Sequence, residues 1–269
     1  MMADIYKVDS SKIVGGPGRL VVKPYDGLFP QKISEVMDLF PPYDLKPGWR
    51  DLGATTEGIK TSRSFDTDDF EVDQRGPIDT TISKWEHTLE TNLAENSLEN
   101  RQLALIGGTI IDSPPTLGTA VPLSNAVTKG ATILTLSSAS TDFKEGGWLK
   151  IGSETLPISK VAETSLYLKE PVGTDYPANT DVSPVNELGT RRIGYGTVSD
   201  VPFMTYALIS QKKDGTLYMC VICKAKVSGD EKEQTYSKDK RVLPLKLQAF
   251  PEDSLSQDEN VYYEIEQVR

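Results

Sequence analysis

The 269-residue sequence holds a single histidine, His87, and two cysteines, Cys220 and Cys223. That scarcity removes most nucleophilic and metal chemistry. A Ser-His-Asp arrangement would have to use His87, and no nucleophile-elbow pattern accompanies it. The cysteines are written Cys-Val-Ile-Cys, the spacing of half a zinc ribbon or of a redox pair. The second ligand pair that a zinc site needs is missing, and the lone histidine is far away in sequence. Both cysteines also sit in the β-branched run Leu217 to Val227, where residues three apart point to opposite faces of a strand. They are expected to be buried, structural thiols. No enzyme activity, metal or cofactor is expected.

Long apolar runs are absent too. Nothing approaches the ~20 residues of a membrane helix. The opening Met1-Met2-Ala3-Asp4-Ile5-Tyr6-Lys7 lacks a charged-then-apolar leader pattern, so synthesis in the cytoplasm and no membrane partner are expected. Positive charge is short: 29 basic against 39 acidic side chains give −10. Nucleic-acid binders show the reverse, a basic footprint that exchanges counterions for phosphates. Tight DNA binding is therefore not expected, whereas contact with DNA that must not stick is compatible. At 38% hydrophobic and 25% charged residues, the rest is ordinary for a globular protein.

Two motifs fail on inspection. Gly15-Gly16-Pro17-Gly18 lacks the Lys-Ser/Thr and the helix start of a phosphate loop, and reads as a turn. The series Asp66, Asp68, Asp69, Glu71, Asp73 lacks the glycine and distal glutamate of a calcium loop, and reads as a solvated acidic loop between strands.

What is present is mainly β. Residues 1–50 are broken by glycine and proline and read as extended arms with one short helix near Ile33 to Leu39, Ser34 being a candidate cap. Ile59 to Thr67 reads as a strand. Ile82 to Leu93 alternates with period two: Ser83, Trp85, His87, Leu89, Thr91 and Leu93 on one face, Lys84, Glu86, Thr88, Glu90 and Asn92 on the other. Asn96 to Ile106 is the clearest helix, with a cap at Asn96 or Ser97 and glycine at its end. Residues 112–120 form a Pro/Gly/Thr linker. Beyond it, short strands at Ala131 to Leu136, Trp148 to Ile151, Thr155 to Val161 and Ser165 to Leu168 define an inserted all-β module over about 118–189. Pro202 to Lys212 and Leu217 to Val227 flank Lys213-Asp214-Gly215-Thr216, a hairpin signal. Arg241 to Phe250 adds a strand in which Pro244 implies an edge or bulge. Between Arg63 and Glu99 stand ten acidic and three basic side chains, so the negative excess centres on the longest amphipathic strand. Fixed charge of this sign repels phosphates within a Debye length of ~8 Å; a solvated sheet face is the plainer alternative.

Several of these stretches carry a resemblance. Asp51-Leu52-Gly53-Ala54-Thr55-Thr56-Glu57-Gly58-Ile59, Glu71-Val72-Asp73-Gln74, Thr80-Thr81-Ile82-Ser83-Lys84-Trp85 and Glu95-Asn96-Ser97-Leu98-Glu99-Asn100 resemble the major tail tube proteins of long-tailed bacteriophages. So do the Asp214-Gly215 hairpin, Lys224-Ala225-Lys226-Val227-Ser228-Gly229 and Leu243-Pro244-Leu245. The resemblance spans roughly 1–110 and 190–269 and lies in order and texture. It implies a β-sandwich or split barrel with one flanking helix, here discontinuous over 1–117 and 190–269; the 118–189 module departs from that pattern and is expected to project outward as a decoration, since an insertion into the lumen would block DNA. It implies a virion structural subunit, self-assembling into stacked hexameric rings in the host cytoplasm, whose lumen conducts DNA during ejection without sequence-specific binding. Implied partners are further copies, a tape measure protein in the lumen, and terminator and distal tail proteins at the ends. Lys84, Glu86, Thr88 and Glu90 would line the lumen, with Trp85, Leu89 and Leu93 in the core. The N-terminal arm and a long loop from Thr67 to Pro77, with Asp66, Asp68, Asp69, Glu71, Asp73 and Arg75, would bridge rings or subunits. A second reading makes the module a carbohydrate- or host-receptor-binding part; it would need aromatics among Phe143, Trp148, Tyr167 and Tyr176 exposed together.

Overall fold

The computed structural model describes residues 18–72, 76–229, 232 and 242–268. Along the chain come β1 (Arg19–Pro24), a 3₁₀ turn at Ile33–Glu35, β2 (Arg50–Asp51), β3 (Thr55–Val72), β4 (Gly76–Leu93) and α1 (Leu98–Ala104). Then follow β5 (Ile111–Ser113), β6 (Thr116–Leu117), β7 (Val121–Pro122), β8 (Ile133–Thr135), β9 (Trp148–Ile151), β10 (Glu154–Ala162), β11 (Ser165–Leu168), β12 (Asp181–Glu187) and β13 (Thr190–Arg192). The last four strands are β14 (Met204–Gln211), β15 (Leu217–Val227), β16 (Leu243–Ala249) and β17 (Tyr262–Glu266). The protein is mainly β with one α-helix among the described residues, and it divides into two compact units.

The first unit takes the residues up to Thr109 and those from Ile193 onward. Its sheet runs β2-β1-β14-β15-β16-β4-β3, and β17 pairs with β15. Contrary to the extended arm expected for residues 1–50, β1 is an interior strand, with Leu20, Val21 and Val22 at most 1% exposed. Only three residues carry that apolar signal, too few to stand out among the glycines and prolines around them. The expected helix near Ile33 shrinks to one 3₁₀ turn, with Lys32 rather than Ser34 at its cap and no side-chain cap bond. Residues 1–17, with the glycine-rich stretch up to Pro17, lie outside the described residues.

β15 is the spine. β14 covers one edge, through a tight turn in which Gly215 takes φ +85°. The other edge is shared: β16 covers Ala225 to Val227 and β17 covers Tyr218 to Ile222. β16 and β17 thus behave as one strand interrupted by the excursion 250–261. Backbone bonds from Ser228 N to Lys246 O and from Phe250 N to Lys224 O turn the even residues of β16 toward β15. The missing N–H of Pro244 therefore leaves the β4 ladder intact, and the recorded β15 pairing covers only Leu247 to Ala249.

The α-helix is shorter than its sequence pattern, but its start is as written: Ser97 Oγ accepts from Asn100 N at 3.1 Å. Buried Asn100 donates to Leu52 O (2.9 Å) and Glu95 O (2.8 Å) and accepts from Arg50, fastening the helix to β2. Gly53, at φ +80°, lies against the Glu95 carboxylate; a Cβ there would come within 2.1 Å of it.

The second unit spans Ile110–Arg192. It starts earlier and ends later than 118–189 because β5 and β13 pair at its boundary, where the sequence reads as linker. Its sheet runs β6-β12-β9-β10-β11-β8, and β7 pairs with β12. A bridge between Leu123 and Leu136, with Ser124 N to Thr135 O and Ser137 N to Pro122 O, joins the β7 and β8 ends. The circuit closes as a small barrel around Leu123, Leu134, Leu149, Ile151, Ile158 and Val182.

Candidate functional site

β3 and β4 form one hairpin of two 18-residue strands. Opposed residues share a face, so register fixes the composition of both faces. On the first face the three-stranded rows read Leu243–Leu93–Thr55, Leu245–Thr91–Ile59, Leu247–Leu89–Thr61 and Ala249–His87–Arg63. Then β16 ends, and the next row has two members, Trp85 and Phe65. A bulge at Ser83 follows, and Ile82 opposite Thr67 continues the same face. Exposure along β4 records the loss of cover: Leu93 0%, Leu89 1%, His87 7%, Trp85 42%, Ile82 49%.

Leu89 and Leu93 are thus buried in the core. Trp85 is not, which corrects its expected role. The alternation places Trp85 on the core face, but the core of the chain stops one row before it. Trp85 instead packs on Phe65 (centroids 5.0 Å apart) and His87 (6.0 Å, stacked), and the Arg63 guanidinium lies 4.0 Å from its ring centre. His87 also meets Tyr262 edge-on at 5.4 Å, and its Nδ1 is buried without a hydrogen-bond partner. Burial, and secondarily the charge of Arg63, hold the His87 imidazole below its ordinary pKa.

The second face is polar throughout: Lys246–Glu90–Lys60, Gln248–Thr88–Ser62, Glu86–Ser64, Lys84–Asp66. Lys84, Glu86, Thr88 and Glu90 therefore share one outward face. Lys84 pairs with Glu86 (2.5 Å) and Lys246 with Glu90 (2.7 Å), and these bonds lower both carboxyl pKa values. The negative charge read from β4 alone is thus offset near the base by Lys60 and Lys246, which enter from neighbouring strands.

The acidic stretch corrects a second expectation. Asp66, Asp68, Asp69 and Glu71 belong to β3, not to a loop, because Lys84, Thr81, Thr80 and Pro77 of β4 face them in register. Thr80 Oγ1 donates to Asp69 Oδ1 at 2.8 Å. Pairing overrides the poor strand propensity of aspartate. Asp73 and Arg75 lie outside the described residues. Among the described residues, no three His, Cys, Asp or Glu side chains gather as metal ligands, and no helix is long and apolar enough to cross a membrane.

Elsewhere, Cys220 and Cys223 are free and buried, and burial pushes both thiols up to about 12. In the barrel, Phe143 and Tyr176 are buried, leaving Trp148 and Tyr167 partly exposed on separate strands. Sequence reasoning missed Arg63 and Phe65 as continuations of the apolar face. Ile59, Thr61, Arg63 and Phe65 alternate, but threonine and arginine hide the period. No family model matches the chain, and no curated protein matches it.

Proposed function

We propose that this chain is a structural tube subunit of the bacteriophage tail type, working by assembly rather than by catalysis. The observation that carries the reading is the hairpin's apolar face, which continues past the end of the chain's own core through Trp85, Phe65 and Ile82. A monomer gains nothing by exposing two packed aromatics, Trp85 and Phe65, beside isoleucine, whereas a neighbouring copy that covers them completes the row pattern. The opposite face, with Lys84, Glu86, Thr88 and Glu90, suits a water-filled channel through which DNA passes without binding. Its mixture of carboxylates and paired lysines offers phosphates no net cationic surface. Stacked, six-fold rings, a tape measure protein in the lumen and end-capping tail proteins follow from the resemblance to tail tube proteins. The barrel then serves as a decoration outside the channel.

Negative-stain microscopy of the concentrated, purified chain tests the proposal. Rings or tubes with a stain-filled centre are expected; a strictly monomeric particle at high concentration would overturn it.

A further inference from the structure

The hairpin meets β17 through one side-chain ring. β4 pairs with β16 as far as His87–Ala249 and then diverges, while β17 continues along β15 without it. The divergence opens a cleft of about 800 Å³, with Arg63, Trp85 and His87 on one wall and Asp258, Tyr262 and Glu264 on the other. A second cavity, of about 120 Å³, lies over the core beside Leu89, Ile222, Ala225 and Leu247. Arg63, His87, Tyr262 and Glu264 line both spaces, so the edge-on pair His87–Tyr262 stands in the throat between them. Among the described residues it is the one ring contact between the hairpin and β17.

This slot suits a neutral imidazole and disfavours a charged one. His87 is buried between Trp85 and Tyr262, and its Nδ1 has no hydrogen-bond partner. An imidazolium there would bury an N–H without an acceptor. The charge that faces it from β3 is Arg63, of the same sign. β16 brings Ala249, and β15 brings the thiol of Cys220, which burial keeps protonated. Lys84 and Glu86 of β4 itself lie on the opposite face. The acceptors stand across the cleft: Asp258 in the excursion, and Glu264, which also accepts from the Tyr218 hydroxyl. With His87 neutral, the cleft holds these two carboxylates against Arg63 alone. A charged ring that turned outward would balance them.

We propose that His87 is a proton-operated latch at the root of the hairpin. Neutral, its ring sits between Trp85 and Tyr262 and holds the Trp85 row in place. Protonated, it leaves that slot for the carboxylates of the cleft and frees the hairpin beyond it. The latch belongs to the single chain; its consequence for assembly rests on the tube-subunit reading. A freed hairpin no longer presents Trp85, Phe65 and Ile82 as one surface, so mild acid stops ring formation.

Amide exchange of the dilute monomer tests the latch, with rates corrected for the intrinsic effect of pH. The His87 amide lies in the last row of the β4–β16 ladder, opposite Ala249. Its protection should fall by up to about tenfold per pH unit below about 6.5, because the released ring binds a proton more readily than the seated one. The Leu93 amide, at the far end of that ladder, should keep its protection. In His87→Gln the fall should vanish. In the double variant Asp258→Asn, Glu264→Gln it should begin at lower pH, since the released ring has lost its acceptors. A fall shared by Leu93, one that survives His87→Gln, or one unmoved in the double variant would overturn the latch. At assembling concentrations, wild-type rings present at about pH 7.5 should dissociate at about pH 5.5, one unit below the ordinary value, while His87→Gln rings persist. Rings of both chains that persist at the lower pH would overturn the link to assembly. A wild type that never assembles would overturn the tube reading, and the exchange measurement would still decide the latch.

Discussion

The two units solve the same problem in opposite ways. Each is built of alternating strands that bury one face, and each must deal with the backbone groups at the edges of its sheet. The barrel at Ile110–Arg192 closes its circuit through the Leu123–Leu136 bridge, and β6, which lies outside that circuit, is only two residues long. Among the described residues, the hairpin unit has no strand on the outer side of β3 (Thr55–Val72), and its apolar face runs on beyond its core. Closure marks a unit that is complete in one chain. On the proposed tube reading, an open edge beside an open apolar face marks one that a neighbouring copy completes. The lesson is local: His87 and Trp85 follow the same sequence pattern two residues apart, and only the end of β16 separates a buried side chain from an exposed one.

The largest effect is expected where both units are closed. Leu89→Ala and Leu149→Ala each remove a side chain at most 1% exposed, and each should cost about 2–5 kcal/mol in urea unfolding of its unit. A loss below ~1 kcal/mol at Leu89 would mean that the hairpin base is not part of the core.

A smaller effect is expected at the boundary between covered and open rows. With its folded pKa depressed, His87 is bound by fewer protons in the folded chain than in the unfolded one. Its stabilising contribution is full above the ordinary value of about 6.5 and is lost as pH falls from there through the depressed folded value. The urea midpoint should therefore decline as pH falls below about 6.5, and His87→Gln should flatten that decline. The test is lost if the slope survives the substitution unchanged.

Trp85→Ser, one row further out, should change monomer stability by no more than about 0.5 kcal/mol while weakening assembly strongly. Thermal unfolding of dilute chain, set beside light scattering of concentrated chain, separates the two. The smallest effect belongs to the polar face: Lys246→Met breaks an exposed, solvent-screened pair with Glu90 and should leave the urea midpoint nearly unchanged. It should leave ring formation intact.

Much of this was legible in the sequence. The span of β15, the Asp214-Gly215 turn, the Ser97 cap, and the division of β4 into apolar and polar faces follow from period-two alternation and turn chemistry. The rest needed partners. Whether Trp85 is covered depends on where β16 stops, which alternation within β4 cannot express. That Asp66 to Glu71 form a strand depends on the residues opposite them, against their own propensity. The Lys60 and Lys246 that flank Glu90 come from strands distant in sequence, so the charge of the polar face is a property of register. β1 reads as part of an extended arm because Leu20, Val21 and Val22, three apolar residues among glycines and prolines, carry little periodic signal.

The central claim is that the open apolar face of the hairpin exists to be covered by another copy. The most direct measurement compares sedimentation velocity of the wild-type chain with a Phe65→Ser, Ile82→Ser, Trp85→Ser triple variant over the same concentration range. The wild type should convert to rings or longer tubes, and the variant should remain a folded monomer with an unchanged unfolding midpoint. A variant that assembles as readily as the wild type would contradict the account.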